Sequence, residues 1–369
     1  MRIVFSSNIS WSIYNFRRGL LNDFKKDGNE IFTVALEDEF SEKLQHLGYK
    51  HTNISINNNS KNPFKDIHLI YQYYKIYKKI APDIICHNAI KPNIYGTIAA
   101  GMLKFPVVNN ISGLGTLFIK NSISTKIAKL LYKVSQRKAS IVFFQNNDDL
   151  QLFLKNKLIT KDKCKLIPGS GVNTSLFVRN KEVNKENLNF SFLFIGRLIY
   201  DKGIMEYIDA AKVIKMKFSN IEFNVLGPIY DSNETAIKKS VLEEWVKDDY
   251  INYVGETDFV KEEMEKANCI VLPSYREGLS KVLIEASSMS LPIITTNVPG
   301  CKDVVIDGET GFLCKVKDSF DLAIQMEKMI LLPKEELISM GVNGRKRAVE
   351  VFDEKIIINH YKDVIYRFK

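Results

Sequence analysis

The sequence predicts an α/β protein made of two doubly wound parallel-sheet domains. Three observations predict it. The 369 residues are enough for two domains of ordinary size. Short apolar runs alternate with helical periodicity in both halves, the pattern of parallel strands joined by helices. Between the halves lies a Pro/Gly-rich stretch, Lys165 to Asn173, followed by a polar run from Arg179 to Asn189. This reads as hinge and linker.

In the first half, apolar runs predict strands over residues 2–5, 31–35, 84–86, 107–109 and 141–144. In the second half they predict strands over 191–196, 221–226, 269–272, 293–296 and 312–314, with helices between. The last segment, Phe352 to Lys369, reads as a helix. The expected domains are 1–172 and 173–351, followed by this helix.

Composition bounds the class. A hydrophobic fraction of 45% with 26% charged residues suits a soluble globular chain and not a disordered one. No run approaches the ~18–20 apolar residues of a membrane span. The opening residues, Met1 to Ser7, read as a strand with no apolar h-region behind it, so no signal peptide is expected. Five scattered cysteines without a C-x-x-C predict reduced thiols in the cytoplasm, and neither a disulfide nor a zinc framework. Charge is uneven. Residues 1–185 hold 28 Lys and Arg against 13 Asp and Glu, while the remainder hold 24 against 30. The basic half is expected to face an anionic surface or ligand.

Two clusters carry chemistry. Phe192 to Ile195 is an apolar strand ending in Gly196-Arg197, and Asp201-Lys202-Gly203 then leads into a helix. The planar fork of Arg197 and the compact charge of Lys202 both suit phosphate oxygens. Later, the strand Cys269 to Leu272 runs into Ser274-Tyr275-Arg276-Glu277-Gly278-Leu279-Ser280, and a helix follows that carries Glu285. Glu277 is thus expected in a strand-to-helix loop, where open α/β sheets bind ligands. Glu285 falls about two turns further on, too far to pair with it. The N–H groups of Gly278, Leu279 and Ser280 lie near a helix start, which suits a diphosphate. Alone, a Glu-x7-Glu or a Gly-Arg…Lys-Gly is commonplace surface charge. Both together, each in strand–loop–helix context, are far more specific.

In that order the two motifs resemble the retaining glycosyltransferases of the GT-B fold, family four, over nearly the whole chain. The resemblance implies two Rossmann-like domains facing a cleft, the helix 352–369 packing back on domain 1–172, the nucleotide-sugar on the C-terminal domain and the acceptor on the N-terminal one. It implies that Arg197 and Lys202 stabilise the leaving diphosphate, that Glu277 orients donor-sugar hydroxyls, and that Glu285 accepts from ribose hydroxyls. Front-face attack, with a diphosphate oxygen taking the acceptor proton, leaves Glu277 no role as nucleophile. No Asp-x-Asp sits in a strand-end loop, so neither a metal nor another cofactor is expected.

On the N-terminal side many family members carry Gly-Gly in the first loop, and this chain does not. Tyr14-Asn15-Phe16-Arg17, with Pro299-Gly300-Cys301, is instead similar to bacterial α-1,3-N-acetylgalactosaminyltransferases acting on undecaprenyl-diphosphate-linked N-acetylated sugars. This implies transfer of a HexNAc such as GalNAc from a UDP-sugar to a polyprenyl-diphosphate-linked sugar in surface-glycan assembly. The implied acceptor residues are Ser7, Asn15, Arg17, Lys91, Asn93, Gly113 and Gly115. Arg17 either meets an acceptor phosphate or solvates a helix face. The family often places a histidine after the strand that follows Asp83, over residues 84–86. Here Cys86 and Asn88 occupy the expected positions and His87 falls beside them, leaving its role open.

Two basic stretches with apolar and aromatic residues, Phe64 to Ile80 and Ile119 to Lys138, read as membrane-contact helices or as ordinary helices with a solvated Lys face. Peripheral attachment to the cytoplasmic face of the inner membrane is the expectation. A nucleotide-sugar epimerase or phosphorylase would share the fold. A nucleic-acid-binding protein would share the basic half, but no recognition module is visible and no nucleic-acid partner is expected.

Overall fold

The computed structural model describes residues 1–56, 63–114, 123–179, 189–229 and 235–369. They form two compact units, Met1–Ser170 with Glu354–Lys369, and Gly171–Asp353. Each unit holds one parallel sheet, and together they have the GT-B architecture.

In the first unit the strands are β1 (Arg2–Ile9), β2 (Glu30–Leu36), β3 (Lys50–Asn53), β4 (Ile84–Asn88), β5 (Val107–Ile111), β6 (Ile141–Phe144) and β7 (Cys164–Leu166). Their order is β3-β2-β1-β4-β5-β6-β7, so the chain reverses direction across the sheet between β1 and β4. Such a switch point opens a crevice at the carboxyl ends of the two strands. Alternation along each strand feeds two cores. Ile3, Phe5, Ile84, Cys86 and Val108 point to one face, where α1 (Ser10–Lys26) and α13 (Glu354–Ile365) cover them. Val4, Ile85, Val107 and Val142 point to the other, under α3 (Pro63–Ile80), α4 (Thr97–Met102) and α6 (Asn147–Lys155).

The second unit orders its strands β10-β9-β8-β11-β12-β13. They are β8 (Phe190–Ile195), β9 (Ile221–Leu226), β10 (Asn252–Gly255), β11 (Cys269–Leu272), β12 (Ile293–Thr296) and β13 (Gly311–Cys314). The switch point falls between β8 and β11. Phe192 stacks on Phe223 at 5.4 Å, and both join one core with Tyr207 of α7 (Ile204–Lys217) and Leu283 of α10 (Lys281–Ser288).

All ten expected strands are present. The additional ones, β3, β7 and β10, are sheet edges whose residues are half-exposed, so no apolar run announces them. The linker residues 180–188 lie outside the described residues. All five cysteines are free. Among the described residues, no helix is long and apolar enough to cross a membrane.

His87 settles into the core. It is 1% exposed, on the face of β4 opposite Cys86. Asn109 gives its amide N–H to Gln136 at 2.7 Å, so its oxygen accepts from His87 Nδ1 at 2.9 Å. His87 Nε2 then accepts from the Tyr77 hydroxyl at 2.7 Å. Both ring nitrogens are satisfied in a neutral imidazole, which makes this a structural histidine. Burial pushes its pKa down from 6.5 to about 4, with the Asn109 bond opposing. A depressed imidazole contributes stability that is present above its unfolded value and lost as pH falls through the folded one. The wild type is therefore expected to lose on the order of 3 kcal/mol more than His87→Gln on acidification between those limits, measured by urea unfolding at each pH. Parallel pH profiles for the two proteins would remove His87 from this role.

Candidate active site

The carboxyl ends of β8 and β11 bring two distant stretches of sequence together. After β8, one turn of 3₁₀ helix, Tyr200–Lys202, delivers Lys202. Gly203 ends that turn with φ of +75°, and a Cβ there would fall 2.1 Å from the Pro273 carbonyl oxygen. The Tyr275 N–H donates to the Asp201 carbonyl at 2.9 Å, tying the turn to the loop after β11. Lys202 Nζ thereby reaches Glu277 Oε1 and donates to it. The Ser274 hydroxyl donates to the same oxygen at 2.7 Å. The ion pair is mostly buried, its side chains 21% and 16% exposed. An ammonium has three N–H donors, so Lys202 keeps others for a ligand.

A second loop fixes Glu277 from the other side. Its N–H donates to the Pro299 carbonyl, and the Ser280 N–H to the Gly300 carbonyl, both at 3.0 Å. Gly300 takes φ of +80°, and a Cβ on it would lie 2.5 Å from the Glu277 carbonyl carbon. Only glycine allows this approach. The Ser280 N–H is thus already committed, which corrects the expectation that it faces an anion. Leu279 packs its side chain into the core and offers only its backbone. Gly196 and Arg197 follow β8 directly, with the Arg197 side chain exposed.

Glu285 lies inside α10, 9% exposed. Its nearest cation is Lys281 Nζ at 3.7 Å, an ion pair longer than a hydrogen bond. Lys281 itself donates to the Gly171 carbonyl at 2.8 Å. Burial therefore raises the Glu285 carboxyl above its usual value of 4.5, and Lys281 only partly opposes this. Two supporting groups escaped the sequence reading. One is Ser274, part of the quoted motif but not assigned a role. The other is Tyr275, whose hydroxyl donates to Glu206 Oε1 at 2.8 Å and anchors the Glu277 loop to α7. Among the described residues, no group of three or more His, Cys, Asp or Glu is placed to hold a metal ion.

In the first unit the expected acceptor residues are scattered around the carboxyl end of the sheet. The Ser7 hydroxyl lies 2.5 Å from that of Ser12. Asn15 is exposed and donates back to the Trp11 carbonyl at 3.0 Å within α1. Arg17 is not a solvated surface residue: it is 5% exposed, its guanidinium 5.7 Å from the centre of the Tyr361 ring. Lys91 pairs with Asp66 at 3.2 Å. Asn93 donates to the Asn110 carbonyl at 2.8 Å. Gly113 has φ of +114°. Gly115 lies outside the described residues.

Two helices of this unit carry exposed apolar stripes among basic residues. On α5 (Ile123–Gln136), Ile127, Leu130 and Val134 are exposed at helical spacing beside Lys126, Lys129 and Lys133. On α3, Ile67 and Tyr71 are exposed one turn apart, with Lys75 and Lys78 following. Ile119 and Lys120 of the expected basic stretch lie outside the described residues.

Residues 177–347 match the family model of glycosyl transferases group 1, and residues 2–146 that of glycosyl transferase 4-like proteins. A Campylobacter jejuni N,N'-diacetylbacillosaminyl-diphospho-undecaprenol alpha-1,3-N-acetylgalactosaminyltransferase is 28% identical, covering 98% of this chain and 97% of its own length. A Staphylococcus aureus capsular polysaccharide biosynthesis glycosyltransferase, CapM, is also 28% identical, over 92% of this chain and 90% of its own. An Escherichia coli UDP-Gal:alpha-D-GlcNAc-diphosphoundecaprenol alpha-1,3-galactosyltransferase is 26% identical over 81% and 79%. The crystal structure of Anabaena HepE in complex with UDP and glucose shares the fold at a TM-score of 0.82, with 16% identity and 99% of both chains covered.

The raised Glu285 carboxyl has a measurable consequence. A carboxyl that holds its proton more tightly when folded makes stability fall as pH rises from its unfolded value through the raised one. Glu285→Gln is therefore expected to melt higher than wild type at neutral pH. The gain should shrink as both are acidified below the carboxylate range, as read by thermal unfolding. A Tm that drops at neutral pH would show that Glu285 stabilises the fold as an ion.

Proposed function

We propose that this chain, which belongs to the GT4-like glycosyltransferases of the GT-B fold, transfers a sugar with retention from a UDP-sugar to a polyprenyl-diphosphate-linked acceptor. The observation that carries the site assignment is the Lys202–Glu277 contact, made by two motifs 75 residues apart at the carboxyl ends of neighbouring strands. Negative charge develops on the diphosphate as the glycosidic bond breaks. Lys202 meets it as a fixed donor that needs no reorganisation during the step, and Arg197 adds a second positive charge. Lys202 is held in place by Glu277, and Glu277 by Lys202, Ser274 and the Gly300 turn. The Glu277 carboxylate, fixed in this way, orients donor-sugar hydroxyls. Glu285, buried with only the longer Lys281 ion pair, gains from accepting ribose hydroxyls. The diphosphate oxygen that leaves takes the acceptor proton.

The acceptor class is supported by two relatives whose names specify undecaprenol diphosphate carriers. An N-acetylhexosamine such as GalNAc is the donor sugar supported by the Campylobacter relative, which is alignable over nearly the whole chain. The striped helices α3 and α5 rest on an anionic leaflet, peripherally on the cytoplasmic face of the inner membrane, where such carriers present their head groups.

A mass-spectrometric transfer assay tests the reading. Purified protein with UDP-sugars and short-chain polyprenyl-diphosphate HexNAc acceptors should add one sugar, with EDTA making no difference. Donor conversion without an acceptor would indicate an epimerase instead. Glu277→Gln and Lys202→Ala are each expected to lower kcat by roughly 10²–10³-fold with the fold intact. Near-wild-type rates in both would undo the site assignment. Vesicle flotation checks the docking face: binding should require anionic lipid, weaken with salt and be lost in Leu130→Glu. Equal binding to neutral vesicles would count against it.

A further inference from the structure

The carboxyl end of the first unit's sheet contains polar groups that the fold itself does not use. Asn88 ends β4 and is 8% exposed, yet neither its Oδ1 nor its Nδ2 has a partner. A buried amide left unpaired on both sides costs a few kcal/mol, so a native fold retains one for a reason. Asn93 Oδ1, in the following turn, is also buried and unpartnered. The residue after Asn88, Ala89, takes φ of +77°, a left-handed conformation costly for any residue with a Cβ.

The same place holds a buried cation. Asn88 is the register partner of Asn110 on the neighbouring strand β5. The Asn110 amide donates to the Tyr361 hydroxyl at 3.1 Å, and the Arg17 guanidinium stands over the Tyr361 ring. Arg17, Tyr361, Asn110 and Asn88 are therefore successive neighbours. Asn88, Cys86 and Ile84 alternate onto the face of β4 that α1 and α13 cover. Among the described residues, no carboxylate pairs with Arg17, although a guanidinium buried this deeply normally demands one. Its aromatic contact leaves the in-plane N–H fork available.

We infer that Arg17 and Asn88, backed by Tyr361 of the C-terminal helix, form a subsite for a glycosyl phosphate. Arg17 pairs with the phosphate oxyanion, and the Asn88 amide takes a donor and an acceptor from the attached sugar, such as a hydroxyl pair or an acetamido group. This rests on the reading of the chain as a transferase to a sugar-diphosphate acceptor. It assigns the acceptor head group to particular atoms and gives the C-terminal helix a part in the site.

Calorimetry on the full chain tests it. Excess UDP fills the phosphate-binding groups of the second unit, and the probes are N-acetylglucosamine 1-phosphate and free N-acetylglucosamine. The wild type should favour the phosphorylated sugar roughly tenfold or more, and Arg17→Met should abolish that preference. Asn88→Ala should weaken both probes roughly tenfold while leaving Tm unchanged or raised, because no internal hydrogen bond is lost. A purely structural Asn88 would instead lower Tm and leave binding unchanged. That result would overturn the inference, as would wild-type binding without preference, or unchanged binding in folded Arg17→Met. Should lipid-linked transfer fail while Arg17-dependent binding persists, the subsite stands and the lipid-linked reading falls.

Discussion

A carboxylate removed from water must meet a cation and donors, or hold its proton. The second unit applies both outcomes to two glutamates eight residues apart. Glu277 sits where three chain segments meet, and receives the Lys202 ammonium and the Ser274 hydroxyl. Glu285, about one turn into α10, has only the 3.7 Å ion pair with Lys281 and is pushed toward its neutral form. The first arrangement depends on backbone approaches that only Gly203 and Gly300 permit. The rigid part of the site is therefore the set of loops, and the sheet sets the separation of their anchors. A charged centre held this way needs little further ordering to meet the proposed diphosphate, which is where fixed dipoles outperform solvent.

The first unit depends on the alternation of a single strand. His87 and Asn88 are neighbours on β4, so they face opposite sides of the sheet. His87 enters a network with Tyr77, Asn109, Thr97 and Gln136 in which its nitrogens are satisfied. Asn88 faces the α1 and α13 side with its amide unpaired. A one-residue shift would exchange these roles. Polar density alone therefore does not mark a binding site. The contrast between complete and incomplete hydrogen bonding does, because a fold gains rigidity from the first and only loses stability from the second.

Much of this was legible in the sequence, because apolar periodicity and motif order are local properties. The ten principal strands and the strand–loop–helix context of Lys202 and Glu277 follow from windows of a few residues. Edge strands such as Lys50–Asn53 were not legible, since half-exposed residues carry no apolar run. Nor was the direct contact between Lys202 and Glu277, which requires knowing that β8 and β11 are neighbours. The engagement of the Ser280 N–H by Gly300 was hidden for the same reason. Arg17 was ambiguous from sequence because helical periodicity gives its face, but not the Tyr361 ring more than 300 residues away that covers it.

Magnitudes also constrain the proposed membrane face. Each basic residue near an anionic leaflet contributes about 1 kcal/mol, and the effect fades beyond a Debye length. The three lysines beside the α5 stripe would together contribute about 3 kcal/mol, too little for firm attachment. Ile127, Leu130 and Val134 are already exposed, so no unfolding is needed to add their apolar area. The sum suits reversible docking, which salt weakens and which neither element achieves alone. An enzyme whose acceptor is dilute in the leaflet gains from such binding. It keeps the protein in the plane of the substrate while still allowing it to leave after each encounter.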